Sequence, residues 1–214
     1  MTRARRASAA ATVAVAAVLL SACGSTQAGA AAVVGDVRIS QTRVNEAAAD
    51  AAAAAESLPA DQTDGLDTGT FPQANASRLV TSELLAIAAA QEGIVVTQAE
   101  IDTLLEQAAG GTPRAEFEAQ IAAQTGVPPA DLESFARDFI IQQKLAEILA
   151  PGADATAKSA AVSARLAQIA QQEGVTVSPR YGAWNSEAAR IEGVVNDLSS
   201  PQATPEPLAP EPIQ

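Results

Sequence analysis

The chain has 214 residues, of which 48% are apolar and only 3% aromatic, and its formal charge is −12. Such a negative field repels nucleic acid, and a chain with one cysteine and no histidine forms neither an internal disulfide nor a Cys/His zinc site. Histidine-based acid–base chemistry is excluded for the same reason. Because alanine supplies much of the apolar content, the composition favours close-packed helices. We expect a mainly α-helical protein with no cofactor and no metal.

The first 22 residues have the features of an export signal. Three arginines precede an apolar stretch from Ala9 to Leu20, and twelve residues span only about 18 Å as a helix, which is too short to cross a bilayer. The stretch ends in Leu20-Ser21-Ala22-Cys23-Gly24, which resembles the lipobox of bacterial lipoproteins. The resemblance implies that Cys23 receives a diacylglyceryl group and becomes the first residue after cleavage. Lipid on Cys23 would then hold the protein at the extracytoplasmic face of the cell membrane.

Two alternatives stay open for this segment. Ala28-Gly29-Ala30 fits the small-x-small rule of an ordinary secretory signal, which would be cut after Ala30. The pair Arg5-Arg6 also raises twin-arginine export, although no bulky apolar residue follows it closely. Cleavage before Cys23 removes three arginines and no acidic residue, so it takes the formal charge from −12 to −15.

The next segment, residues 31–39, has two β-prone runs around Gly35-Asp36 and predicts a small hairpin or a bent strand. Hydrophobic periodicity then predicts six helices. They cover about residues 41–57, 72–91, 98–110, 113–126, 129–150 and 155–172. Residues 59–69 show no periodicity and are predicted to be a loop.

Several residues at the predicted helix ends are suited to capping. Ser40 is expected to cap the first helix, and Thr97 with Glu100 has the capping-box pattern. Gly93 is a natural stop for the helix before it. Pro113 is expected at the first helical position of its helix.

The longest amphipathic run, residues 129–150, is expected to organise the core. Its apolar residues recur at three- and four-residue steps and are all predicted to face inward. They are Leu132, Phe135, Ala136, Phe139, Ile140, Leu145, Ile148 and Leu149. Phe117 of the preceding helix, like Phe135 and Phe139, is interpreted as a core residue rather than as part of a groove.

Two helix exits share one pattern. Gln91-Glu92-Gly93 passes into Ile94-Val95-Val96, and Gln172-Glu173-Gly174 passes into Val175-Thr176-Val177. Glycine ends a helix readily, and valine and isoleucine favour strands, so both exits are predicted to lead into a short β segment. Two copies are too few for a solenoid, which needs at least three units.

Two sequence patterns resemble a calcium site and a catalytic site, but each lacks features that such a site needs. Asp61, Asp64 and Asp67 suggest a calcium loop, yet they lack the alternate-position spacing and closing glutamate of an EF-hand, which favours a solvated loop. Lys158-Ser159 suggests nucleophilic catalysis, yet adjacent helix residues face different directions. We therefore predict no catalytic residue at either place.

Three segments point to a family. They are Val34-Gly35-Asp36-x-x-Ile39-Ser40, Gln91-Glu92-Gly93-Ile94-x-Val96-Thr97-x-x-Glu100-Ile101 and Val177-Ser178-Pro179-Arg180-Tyr181-Gly182-x-Trp184. Together with the order of helices, they resemble the amino-terminal region of the SurA and PrsA family of extracytoplasmic folding factors, over about residues 31–190. The resemblance implies a helical chaperone domain with short β segments near residues 31–39 and 175–178. PrsA-type members are themselves lipoproteins.

The predicted organisation follows from the signal, the resemblance and the composition. The chain divides into a lipoprotein signal peptide at 1–22, a lipidated tether at 23–30, a SurA-like helical chaperone domain at 31–190 and a Pro-rich acidic disordered tail at 191–214. Folding factors of the family commonly carry a parvulin-type prolyl isomerase domain before the last helix. Only residues 150–155 separate the last two predicted helices, so that domain is expected to be absent.

The resemblance implies a non-enzymatic holdase whose partners are unfolded or nascent secreted polypeptides. Tyr181 and Trp184, the only tyrosine and tryptophan, are weak candidates for binding a client. The favoured alternative is that they pin the last segment against the core. An adaptor for one specific cell-envelope protein is the second functional hypothesis. A carboxylate-dependent hydrolase is disfavoured because no paired acidic motif is present.

Overall fold

The computed structural model describes residues 28–193, which form a mainly α-helical body with two small sheets. We number the helices of this region α1 to α7: Gln41–Ala55, Ala60–Thr63, Phe71–Glu92, Gln98–Ala109, Arg114–Thr125, Leu132–Leu149 and Ala155–Glu173. The strands β1 to β5 are Ala30–Val34, Val37–Ser40, Val175–Val177, Ala183–Asn185 and Arg190–Glu192. The predicted fold class is therefore confirmed. Within residues 28–193, no helix is long and apolar enough to cross a membrane.

The capping residues set the helix boundaries as predicted. The Ser40 hydroxyl accepts a hydrogen bond from the Arg43 N–H at 3.0 Å, and Thr97 and Glu100 form a complete capping box. Gly93 ends α3 in the left-handed conformation, with φ of 66°, which costs glycine little because it has no Cβ. Side-chain and backbone bonds at these ends satisfy groups that the helices leave free.

Two local predictions are wrong. Residues 59–69 are not wholly loop, because α2 forms one helical turn and Thr68–Thr70 forms a 3-10 turn in which the Asp67 carboxylate accepts from the Gly69 N–H. Pro113 is the N-cap of α5 rather than its first helical residue, since its ψ of 140° is extended. Its carbonyl accepts the first helical bond, from the Phe117 N–H at 2.9 Å.

A three-stranded antiparallel sheet joins the two ends of the described region. The predicted hairpin is present as β1 and β2, with Gly35-Asp36 at the turn, and β1 starts at Ala30, a residue assigned above to the tether. After α7, the chain returns as β3 and pairs with the other edge of β1, with Val34 opposite Val175. The Gly35 N–H also donates to the Gly174 carbonyl at 3.0 Å.

The two predicted helix exits fold differently. The second exit becomes β3, whereas the first, Ile94–Val96, forms no strand. The difference has a physical cause: a strand needs a partner to receive its N–H and carbonyl groups, and β1 supplies one only to the second exit. The hairpin of β4 and β5, which pairs Trp184 with Ile191, has no counterpart in the predictions.

The core consists of a main cluster and two smaller ones. The main cluster combines apolar residues of the sheet, α1, α3, the second half of α6 and α7, with Val80, Leu84, Leu85, Leu145 and Ile169 among its fully buried members. The second cluster joins α4, α5 and the first half of α6 through Ile101, Leu105, Phe117, Leu132, Ala136 and Ile140. The third joins Ala48 and Ala51 of α1 to Phe71 and Ala122.

The prediction of a single inward stripe on α6 is wrong for two residues. Phe139 is 46% exposed and Ile148 is 49% exposed, so Phe139 is not a core residue. The cause is that α6 buries two different faces: Ala136 enters the second cluster, while Ile141 enters the main cluster. At 3.6 residues per turn, these two side chains point roughly 140° apart. A single apolar stripe along α6 therefore cannot face both clusters over its whole length.

Candidate functional site

An open groove of about 1150 Å³ lies between α6, α7 and the segment that follows α3. Its apolar lining includes Ile94, Val95, Phe139, Ile148, Val162 and Leu166. Glutamine and serine side chains of α6 and α7 complete its walls. The groove is large enough for several side chains of a polypeptide, and pockets of this size are typical binding sites.

Exposed apolar side chains are concentrated in this groove. Four large apolar residues of the described region are exposed, namely Val37, Val95, Phe139 and Ile148, and all but Val37 line the groove. The exposed fraction of Val95 reaches 71%. Single exposed apolar residues are ordinary, but a contiguous group of them marks an interaction surface. The grouping therefore points to the binding of apolar material.

Val95 is held at the groove by its neighbours. Ile94 and Val96 pack against the main core, and the Ile94 N–H donates to the Ala89 carbonyl at 2.8 Å. The side chain of Val95, which lies between them, is left facing outward. The Nζ atom of Lys144 on α6 donates to the Val95 carbonyl at 2.8 Å, so a side chain from the opposite wall fixes this segment.

Lys144 links this segment to α4. Its Nζ atom lies 2.6 Å from Glu100 Oε1, and Glu100 also accepts from Thr97 in the capping box. The hydrogen bond with Lys144, followed by the two with Thr97, lowers the pKa of Glu100 to about 2, because each favours the charged carboxylate. The groove wall is thus connected to the first turn of α4.

The other charged residues in the groove lining are also paired. Lys158 of α7 forms an ion pair with Glu147 of α6, and Arg165 Nη2 lies 3.1 Å from Glu92 Oε1. Within residues 28–193, every lysine that lines the groove has an acidic partner. The charged residues in the lining itself are therefore neutralised in pairs, and the lining is an apolar surface rather than a cation site.

A different arrangement stabilises the other end of α6. The Asp131 side chain, only 11% exposed, lies 2.5 Å from Nη2 of Arg43 on α1 and 2.5 Å from Nη2 of Arg78 on α3. Burial lowers the pKa of Arg78, and the charge of Asp131 opposes this shift. The carboxylate therefore joins three helices at one point, and we refer to Arg43, Arg78 and Asp131 as the clamp.

Two polar residues surround the clamp. Asn75 is almost completely buried and donates to the Phe71 carbonyl at 3.1 Å and the Gly126 carbonyl at 2.7 Å, while its own carbonyl accepts from Arg78. Burial raises the pKa of Asp138, and a hydrogen bond with Ser82 opposes this. Asn75 and Asp138 have hydrogen-bond partners within the protein, which indicates a structural rather than a ligand-binding role for these two side chains.

The sequence-predicted site residues are not brought together. Cys23 lies outside the described residues. Tyr181 is buried, and its hydroxyl donates to Asn45 Oδ1 at 3.3 Å. Trp184 is partly buried and packs against the main core. Neither aromatic residue is among those that line the groove. Lys158 and Ser159 both line it, but Lys158 is engaged by Glu147.

Sequence reasoning missed Val95, Phe139 and Ile148 as surface residues. For Val95 a signal was present, because alternation in Ile94-Val95-Val96 turns the middle residue away from whatever the other two bury against. For Phe139 and Ile148 no such signal was present. Periodicity alone does not show which of the two core clusters each part of α6 faces.

The structure is a mainly α-helical domain with an open apolar groove. The SurA-like N-terminal domain family matches residues 2–146 of the chain. The chain belongs to this family, which suggests a chaperone-related role. No curated protein and no solved structure matches the chain.

Proposed function

We propose that this protein is a membrane-anchored extracytoplasmic lipoprotein that holds unfolded secreted polypeptides in its groove and catalyses no reaction. The observation that carries the proposal is the grouping of Val95, Phe139 and Ile148, three exposed apolar side chains, in one groove of a SurA-like domain. Contacts between apolar surfaces are non-directional, so one groove accepts many different sequences.

The size of the groove is compatible with weak, reversible holding. Burying one large apolar side chain contributes roughly 1.5–3 kcal/mol. The ordering of a flexible client offsets much of this gain, as does its lost translational freedom. The net gain per client segment is therefore small, so we expect binding that is weak and reversible and that lets a holdase release its client without an energy source.

The proposed anchor is supported by the place of the only cysteine, directly after the apolar run of the signal. β1 begins at Ala30, seven residues after Cys23. Seven residues span at most about 25 Å, so lipid on Cys23 would keep the groove near the membrane surface, where secreted chains emerge.

The proposal includes the absence of prolyl isomerase activity. Only Ala150–Asp154 connects α6 to α7, which is the position where the family resemblance would put a parvulin domain. We expect the purified protein not to accelerate cis–trans exchange of a proline-containing test peptide. Acceleration above the uncatalysed rate would contradict this part of the proposal.

Aggregation assays test the holdase activity. At a near-stoichiometric ratio, the purified protein should slow the aggregation of two unrelated, chemically unfolded proteins. Suppression of both supports general holding, and suppression of neither overturns it. A protein that instead captures one envelope partner in fixed ratio, with no effect on either aggregating protein, would be an adaptor.

Fractionation tests the anchor. In a bacterial host that processes lipoproteins, the wild-type chain should remain with the membranes, and Cys23→Ser should shift to the soluble extracytoplasmic fraction. Ser25→Ala, which changes a neighbouring small residue, is the matched control and should stay with the membranes. Equal membrane association of Cys23→Ser and wild type would contradict the lipid anchor.

A further inference from the structure

Basic and acidic residues at the groove differ in whether they form ion pairs. Lys144 and Lys158, the two lysines in its lining, are both bound to glutamates. Two acids that directly precede lining residues are not in ion pairs. Asp154 precedes Ala155 and, as the N-cap of α7, accepts a hydrogen bond from the Ala157 N–H at 2.8 Å. Glu187 precedes Ala188. Both acids are exposed. Among the described residues, the charges beside the groove that have no basic side-chain partner are therefore negative.

The rest of the body adds to this field. Residues 28–193 contain 22 acidic and 10 basic residues, so this body carries a formal charge of −12. A negative field attracts cationic segments and raises their association rate at low ionic strength. Asp154 belongs to the start of α7 and Glu187 to the β4–β5 connection, so the two acids come from different elements, each of which contributes residues to the lining.

We propose, on the basis of the function proposed above, that the groove selects apolar segments flanked by lysine or arginine. The apolar middle contacts Val95, Phe139 and Ile148, and the flanking cations lie near Asp154 and Glu187. A second copy of this chain is disfavoured as occupant because it carries the same negative charge. The chain's own residues 194–214 are disfavoured because they contain three acids and no cation.

Peptide binding tests the selection. Labelled peptides share one apolar middle and differ only in their flanks, which are lysine, glutamine or glutamate, and their binding to the whole chain is measured by fluorescence anisotropy. The lysine-flanked peptide should bind about fivefold more tightly than the glutamine-flanked one at low ionic strength, and glutamate flanks should bind most weakly. The differences should disappear in about 0.5 M salt.

Two double variants locate the effect. Asp154→Asn with Glu187→Gln removes the two rim charges, and asparagine still caps α7. Glu46→Gln with Glu106→Gln changes the total charge equally at exposed positions outside the groove. The preference for lysine flanks should fall in the first variant and persist in the second.

Each other outcome overturns the proposal in a distinguishable way. Equal binding of all three peptides leaves the holdase proposal standing and removes the charge selection. Equal loss of preference in both double variants shows that only the overall field acts. Binding of none of the peptides overturns the holdase proposal as well. Displacement of the peptide by self-association, or a gain in its affinity when residues 194–214 are deleted, would assign the groove to a different occupant.

Discussion

The start of α6 and the stretch from Phe139 to Ile148 have different environments. The first turn of α6 lies at the clamp, where the buried carboxylate of Asp131 contacts arginines from α1 and α3. The stretch from Phe139 to Ile148 lines the groove, where these two residues are about half exposed. One helix thus combines a charged group that is buried with apolar groups that are not.

The start of α6 stabilises the fold more than the exposed residues of the groove do. Removing a charge that neutralises buried partners is costly, whereas removing exposed apolar surface costs the fold little. Exposed apolar residues contribute little to folding. Their grouping in one groove is therefore better explained by a role in binding than by a role in stability. Stability and binding should therefore be separable by substitutions on a single helix.

The largest expected effect is at the clamp. Asp131→Asn leaves the guanidinium of Arg78, whose side chain is 11% exposed, without its counter-charge. The free energy of unfolding should fall by about 3 kcal/mol, measured by urea denaturation. Glu118→Gln, which breaks the exposed pair of Arg114 and Glu118 within α5, is the control and should cost less than about 0.5 kcal/mol. Equal losses in the two variants would show that the clamp is not a principal stabilising contact.

The next effect is in the groove and concerns binding. Phe139→Gln with Ile148→Gln keeps good helix formers on α6 and removes two apolar contacts. Client affinity should fall by about tenfold, while the free energy of unfolding changes by less than about 1 kcal/mol. Val37→Thr removes an equally exposed apolar side chain from β2, outside the groove, and should leave affinity unchanged. Unaltered binding in the groove variant would remove the main support for the proposed function.

The smallest effect is at Glu100, which joins the groove wall to α4. Its pKa is depressed to about 2 by Lys144 and Thr97, so its contribution to stability is present above the ordinary carboxyl value of about 4.5 and is lost as the pH falls toward 2. Glu100→Gln retains a capping-box residue but removes the charge. The variant should melt slightly below wild type at pH 7, and the difference should shrink between about pH 4.5 and 2. A difference independent of pH would exclude the charge as its cause.

Local structure was largely predictable because local residues determine it. Ser40, Gly93 and the Thr97–Glu100 box fix helix ends through bonds within a few residues. The hairpin at Gly35-Asp36 is likewise a short-range feature. The prediction for Pro113 differed by one position, because a helix start depends on the ψ of the proline itself.

The groove was not predictable because it depends on distant partners. The two helix exits have nearly the same sequence, yet only Val175–Val177 lies beside β1 and becomes a strand. Asp131 pairs with residues 88 and 53 positions away, and its sequence context gives no sign of either. In the same way, the exposure of Phe139 results from where two core clusters lie around α6.

The central claim is that unfolded polypeptide occupies the groove. The most direct test places a photoreactive amino acid at position 139, 148 or, as control, 37, and irradiates each protein with an unfolded client. Cross-links should form from positions 139 and 148 and be absent or weak from position 37. Equal cross-linking from all three positions, or stronger cross-linking from position 37, would contradict the account.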